Sequence, residues 1–151
     1  MSARTVAGTR EESGAALHPG WLPVLGRVSL FKVLPQRHLK RVGRLAEMKR
    51  FSKGAQVVRA GARGDALYVI LDGGAQVRTP SGHTRKLAAG DYFGELALLD
   101  GAPRAATVTA TGVLTTARIG RTAFQKLLKE EPAIGVGLAH GLVAIVRDLQ
   151  K

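Results

Sequence analysis

A chain of 151 residues, 45% of them apolar, is long enough for one domain with its own core. The absence of cysteine excludes disulfides, thiolate metal sites and cysteine nucleophiles, and no apolar run approaches the length needed to cross a bilayer. A formal net charge of +12 favours anions of any kind, nucleotide, nucleic acid, acidic protein or lipid headgroup, while four Phe, two Tyr and one Trp give little material for stacking single-stranded bases. Much of the basic charge falls in the first half, from Arg27 through Lys40, Arg41 and Arg44 to Arg59 and Arg63, and a solvated basic face explains it as well as a binding surface does.

Residues 1–20 are small and polar without a period, which predicts a disordered tail; they lack the apolar stretch of a secretory signal, so a cytoplasmic location is expected. From Trp21 the chain turns amphipathic. Leu22, Leu25, Val28 and Leu30-Phe31 predict a short helix ending in an apolar anchor. Pro35 opens a second helix, with Leu39, Val42 and Leu45 on one side and Arg37, Lys40, Arg41 and Arg44 on the other. After Met48, short branched-apolar runs are separated by Gly, Asp and Pro about every ten residues, the pattern of an antiparallel jelly roll. Strands are expected near 48–51, 56–59, 66–71, 75–79, 84–87, 105–109 and 114–119, with turns at Asp72-Gly73-Gly74 and Pro80-Ser81-Gly82. The fold class is therefore mainly β, a β-roll with flanking helices. Thr122 is expected to cap a helix through Glu130, and Pro132 to begin a last one. In that helix Ile134, Leu138, Leu142, Ile145, Val146 and Leu149 form a stripe that serves core packing or a partner, and Gly135, Gly137 and Gly141 weaken it.

One stretch interrupts the roll with a helical turn: Phe93-Gly94-Glu95-Leu96-Ala97-Leu98, then Pro103-Arg104-Ala105-Ala106-Thr107-Val108. Backbone N–H groups at the start of a helical turn favour an anion, Gly94 admits it closely, and the Arg104 fork matches a phosphate. Glu95 would repel a phosphate unless it accepts a hydrogen bond from a hydroxyl of the same ligand, a combination that describes a sugar phosphate. The competing reading is an exposed loop in which Glu95 and Arg104 pair with each other. No catalytic constellation is present: His18, His38, His83 and His140 are scattered without metal-ligand spacing or a paired acid, and Asp65 and Asp91 read as turn residues. A metal, a cofactor and an enzyme activity are not expected.

Residues 93–108, with Gly64-Asp65-Ala66-Leu67-Tyr68-Val69-Ile70-Leu71-Asp72-Gly73 upstream, resemble the phosphate-binding cassette and strand signature of the cyclic nucleotide-binding domain family, above all in regulatory subunits of cyclic-AMP-dependent protein kinase. The likeness covers roughly 22–149, so residues 21–151 are expected to form that domain. It implies a ligand site of Phe93, Gly94, Glu95, Leu96, Ala97, Arg104, Ala105 and Ala106. Gly94, Leu96, Ala97 and Arg104 would hold the cyclic phosphate, Glu95 the ribose hydroxyl, and the two alanines would lie against phosphate and purine. Ala105, where relatives preferring cyclic GMP tend to carry Thr or Ser, favours cyclic AMP. The last helix would be a mobile lid, with Leu142, Val146 and Arg147 as candidate purine caps and a homodimer or an effector protein as its partner. No helix-turn-helix follows for DNA, so the expected role is a stand-alone sensor in signal transduction, acting on a partner protein, or a piece of a larger protein. The alternative is a basic interaction protein of the same fold that binds an acidic partner without nucleotide.

Overall fold

The computed structural model describes residues 4–6, 9–95, 98 and 101–149, and side chains from Ala16 onward, apart from those of residues 141–146, 148 and 149. Its layers follow from one strand, Ala66–Asp72, in which six of seven residues are buried. Alternation along this strand sends Ala66, Tyr68 and Ile70 into one apolar cluster and Leu67, Val69 and Leu71 into another. Cover on both faces is why the sequence reads there as an unbroken apolar run.

In chain order the strands are β1 (Arg4–Val6), β2 (Thr9–Ala16), β3 (Glu47–Phe51), β4 (Gln56–Val58), β5 (Ala66–Asp72), β6 (Gly74–Arg78), β7 (Thr84–Ala88), β8 (Tyr92–Phe93), β9 (Thr107–Ala110) and β10 (Leu114–Gly120). All pair antiparallel, in a six-stranded sheet β1-β2-β3-β10-β5-β8 and a four-stranded sheet β4-β9-β6-β7. Phe51, Tyr68, Phe93 and Leu114 from the first sheet meet Ala75, Leu87 and Val108 from the second, which makes the interior of the roll. The other face of the six-stranded sheet carries the helices: a 3-10 turn (Pro19–Trp21), α1 (Leu22–Leu25), α2 (Gln36–Leu45), α3 (Arg121–Glu130) and α4 (Pro132–Leu149). Leu25, Val28, Leu30, Phe31, Val42, Phe124, Leu127, Ile134 and Leu138 pack there with Leu67, Val69, Ala117 and Ile119. A mainly β roll with flanking helices is thus the fold, and each strand read from the sequence between 48 and 119 exists to within two residues. No described helix is long and apolar enough to cross a membrane.

Three features differ from the sequence reading. Residues 4–6 and 9–16 are strands rather than a structureless tail, with β2 extending the sheet beside β3 through Glu11↔Phe51, Glu12↔Arg50, Ala15↔Met48 and Ala16↔Glu47. Backbone ladders at a sheet edge need no apolar alternation, so composition carries no sign of them. The first helix is shorter than expected, because Gly26 ends it and the chain reaches the buried Val28, Leu30 and Phe31 through successive turns. At α3 the N-cap is Gly120 with no side-chain cap, so Thr122 does not hold that end; the Arg121 N–H donates instead to the Asp65 carbonyl at 2.9 Å.

Candidate functional site

Arg104 is fixed before its side chain does anything. Its N–H donates to the Ala62 carbonyl at 2.8 Å and its own carbonyl accepts from the Gly61 N–H at 2.8 Å, which pins it to the β4–β5 loop. From there the guanidinium turns inward, leaving the residue 7% exposed, and Nη1 donates to the Gly94 carbonyl while Nη2 donates to the Ala66 carbonyl, both at 2.9 Å. These two bonds occupy two of the five N–H donors of a guanidinium, and the rest have no partner among the described residues. Gly94 makes the approach possible. Its φ is +94°, and a Cβ there would stand 2.6 Å from Arg104 Nη1 and 2.7 Å from the Ala66 oxygen.

The guanidinium lines an open groove of about 280 Å³ together with Gln56, Arg59, Ala62, Arg63, Asp65 and Tyr68. Tyr68 forms the buried floor, stacked on Phe93 at 5.3 Å between centroids and edge-on to Phe51 at 6.3 Å. Arg59 and Arg63 are exposed cations at the rim, with Arg59 Nε donating to Gln56 Oε1 at 3.1 Å. Burial pulls the Arg104 guanidinium below its ordinary pKa, and Tyr68, Asp65 and Glu95 only partly offset that. The side chain therefore holds its positive charge against desolvation, a state that an arriving anion relieves. Arg118 is in the opposite condition. Burial disfavours its charge too, but the nearby Tyr68 phenol and the carboxylates of Asp65 and Glu47 hold its pKa above the ordinary value, with Glu47 at 3.0 Å and Asp65 at 3.5 Å.

Of the residues singled out in the sequence, Gly94 and Arg104 meet through a hydrogen bond, and Phe93 stacks on Tyr68, which lines the same groove as Arg104. Glu95 begins the helical turn half-buried, near enough to oppose ionisation of the Tyr92 phenol, whose pKa is raised by burial first and by Glu95 second. Ala105 is exposed and Ala106 half-buried, directly after the arginine. Leu96 and Ala97 lie outside the described residues. Leu142 and Val146 fall on described backbone of α4 but their side chains do not, and Arg147 is exposed. Asp91 is a turn residue, its Oδ2 accepting from the Ala88 N–H at 2.8 Å, and Asp65 pairs with Arg118.

Two residues matter more than the sequence suggested. Tyr68 was legible only as one apolar member of a strand. Arg121 donates from Nη1 to the Leu98 carbonyl at 3.2 Å and from Nη2 to the Gly64 carbonyl at 2.7 Å, tying the cassette turn and the groove loop to the start of α3. A basic residue at the first position of a helix, where the dipole disfavours it, was the available signal. A further correction concerns His38, which has a paired acid after all. Its Nδ1 lies 2.7 Å from Glu131 Oε1, and Arg41 Nη1 donates to Glu131 Oε2 at 3.0 Å. Glu131 is 3% exposed and stands between α3 and α4, so this network clamps α2 to their junction. It shares no residue with the groove. Among the described residues no group of three or more His, Asp or Glu is placed to hold a metal.

Residues 48–131 match the sequence profile of the family described as Cyclic nucleotide-binding domain. A cAMP-dependent protein kinase regulatory subunit from Mycosarcoma maydis is 41% identical over 110 residues, 67% of this chain and 21% of that protein; the chain thus spans about a fifth of that relative's length. Among solved structures, the regulatory domain of Toxoplasma gondii PKA with cAMP superposes with a TM-score of 0.73 at 29% identity, over 83% of this chain and 49% of that one. The regulatory subunit of a cAMP-independent protein kinase A from Trypanosoma cruzi, bound to guanosine, superposes at 0.67 with 28% identity, over 78% and 42%. A roll entered by a buried arginine beside a positive-φ glycine, the profile match over more than half the sequence and these likenesses agree, and the chain belongs to the cyclic nucleotide-binding domain family, related to the regulatory subunits of protein kinase A.

Proposed function

We propose that residues 21–151 bind a purine 3',5'-cyclic nucleotide, cyclic AMP in preference to cyclic GMP, and that binding is relayed through α4 to a partner protein. The observation that carries this reading is the Arg104 side chain, buried with unfilled N–H donors on the wall of a groove of about 280 Å³. That volume lies just below the roughly 300–1,000 Å³ usual for small-molecule pockets, and the groove is open, which leaves room for one nucleotide. Arg104 meets the cyclic phosphate, with the backbone of Gly94, Leu96 and Ala97 beside it. Glu95 takes the ribose hydroxyl, Phe93 sets the floor through Tyr68, and Ala105 and Ala106 border the phosphate and base. Ala105 offers no hydroxyl to a guanine amino group. Leu142, Val146 and Arg147 supply the cap over the purine. The output is mechanical rather than catalytic, in keeping with relatives named as regulatory subunits.

Calorimetric titration with cyclic AMP, cyclic GMP and guanosine tests the site. Cyclic AMP binds most tightly, and Arg104→Ala weakens it by about 2–5 kcal/mol, the usual consequence of breaking a buried charge-assisted contact. Guanosine tighter than either cyclic nucleotide would move the reading to a phosphate-free ligand like that of the Trypanosoma cruzi relative. No heat with any of the three favours the other reading, a basic interaction protein of this fold, which the net charge of +12 supports. The relay is tested by hydrogen exchange over residues 133–149, where protection rises with cyclic AMP; equal protection in both states counts against it.

A further inference from the structure

Away from the groove, α2 and the turn before α1 border a second open hollow, of about 620 Å³. Its surface is Ala16, Leu17, Pro19, Leu22 and Gly43, with Lys40 and Arg44 above it, and it shares no lining residue with the groove at Arg104. Lys40, Gly43 and Arg44 stand three and four residues apart, which puts them on one face of α2. Gly43 opens the space: a Cβ there would stand 3.0 Å from Leu22 Cδ2. Lys40 and Arg44 are exposed, and neither has an ion-pair partner among the described residues. Like charges four residues apart on a helix repel each other, and no acid is among the described residues that line the hollow.

An apolar floor under two unbalanced cations is complementary to a molecule with an apolar body and one anionic head. We infer that this hollow is a binding site for a free amphiphilic carboxylate of the medium-chain fatty-acid class, the chain lying over Leu17, Leu22 and Gly43 and the head between Lys40 and Arg44. A volume within the usual range of ligand pockets favours a discrete small molecule over a flat membrane contact. The site is independent of nucleotide binding and stands or falls separately from it.

The chain's one tryptophan, Trp21, ends the turn that begins at the lining residue Pro19 and serves as the reporter. Decanoate below its micellar concentration is titrated against the full chain, read by Trp21 fluorescence and calorimetry, beside decanol and vesicles of phosphatidylcholine with and without phosphatidylglycerol. Saturable one-to-one binding of decanoate is expected. Lys40→Glu with Arg44→Glu, on exposed positions, weakens it at least about tenfold, and decanol binds weaker than decanoate by a similar factor. Ala16→Phe fills the hollow and removes the response, while nucleotide titration and the thermal midpoint report that each variant is folded. Three results overturn the inference: no saturable response to decanoate, equal affinity in the double variant, or a response confined to anionic vesicles, which makes the face a membrane contact.

Discussion

Arg104 and Glu131 are the two charged residues withdrawn from water among the described residues, at 7% and 3% exposure, and they are treated in opposite ways. Glu131 has both carboxylate oxygens met, one by His38 and one by Arg41. Arg104 meets only two backbone carbonyls, keeps donors without partners and lines a groove. A buried charge with its partners at hand is a structural joint; one whose field is left incomplete is open to a ligand that would complete it. The difference separates architecture from function better than burial alone, which is nearly the same at both.

The comparison breaks most visibly if the joint is stripped. Replacing His38 and Arg41 together by alanine leaves Glu131 buried without its hydrogen-bond partners and lowers stability by about 3–5 kcal/mol in urea unfolding, with nucleotide affinity of the folded fraction kept. An unchanged midpoint would show that water already reaches Glu131. Arg104→Lys makes the converse point. It keeps the charge and loses the fork, so nucleotide affinity falls by about 1.5–3 kcal/mol in calorimetry while the unfolding midpoint of the unliganded protein moves far less. A loss in stability as large as the loss in binding would make Arg104 a structural joint too. Gly94→Ala forces a Cβ against the Ala66 carbonyl at positive φ and lowers both stability and affinity, by about 1–3 kcal/mol for the backbone strain. Arg121→Ala removes two bonds to carbonyls, a loss of about 1–2 kcal/mol, and raises hydrogen exchange in the cassette turn before the rest of the roll.

What the sequence made legible was local. Alternation by two gave the strands, glycine with aspartate or serine gave the turns, and the Phe93-to-Val108 stretch carried the site because its glycine and arginine act within ten residues of each other. What it hid was long-range or free of side-chain pattern. The His38 and Arg41 bonds to Glu131 span 93 and 90 residues, and nothing near any of the three announces them. Strand β2 joins the sheet beside β3 through a backbone ladder, and β8 is two residues long, too short for a period. The Gly120 N-cap escaped because Thr122 offered the standard capping side chain two positions later, while the orphan Arg121 N–H found the carbonyl of a distant loop.

Strand β5 is a party wall, its alternate residues belonging to two rooms of the molecule. Neither room can be vacated while the other stays furnished, so thermal unfolding is expected to be one cooperative event, with calorimetric and van't Hoff enthalpies equal. By the same construction, a ligand that tightens the side of Tyr68 is expected to stiffen the side of Leu67 and Val69, against which the helices pack, without any rod or hinge between them.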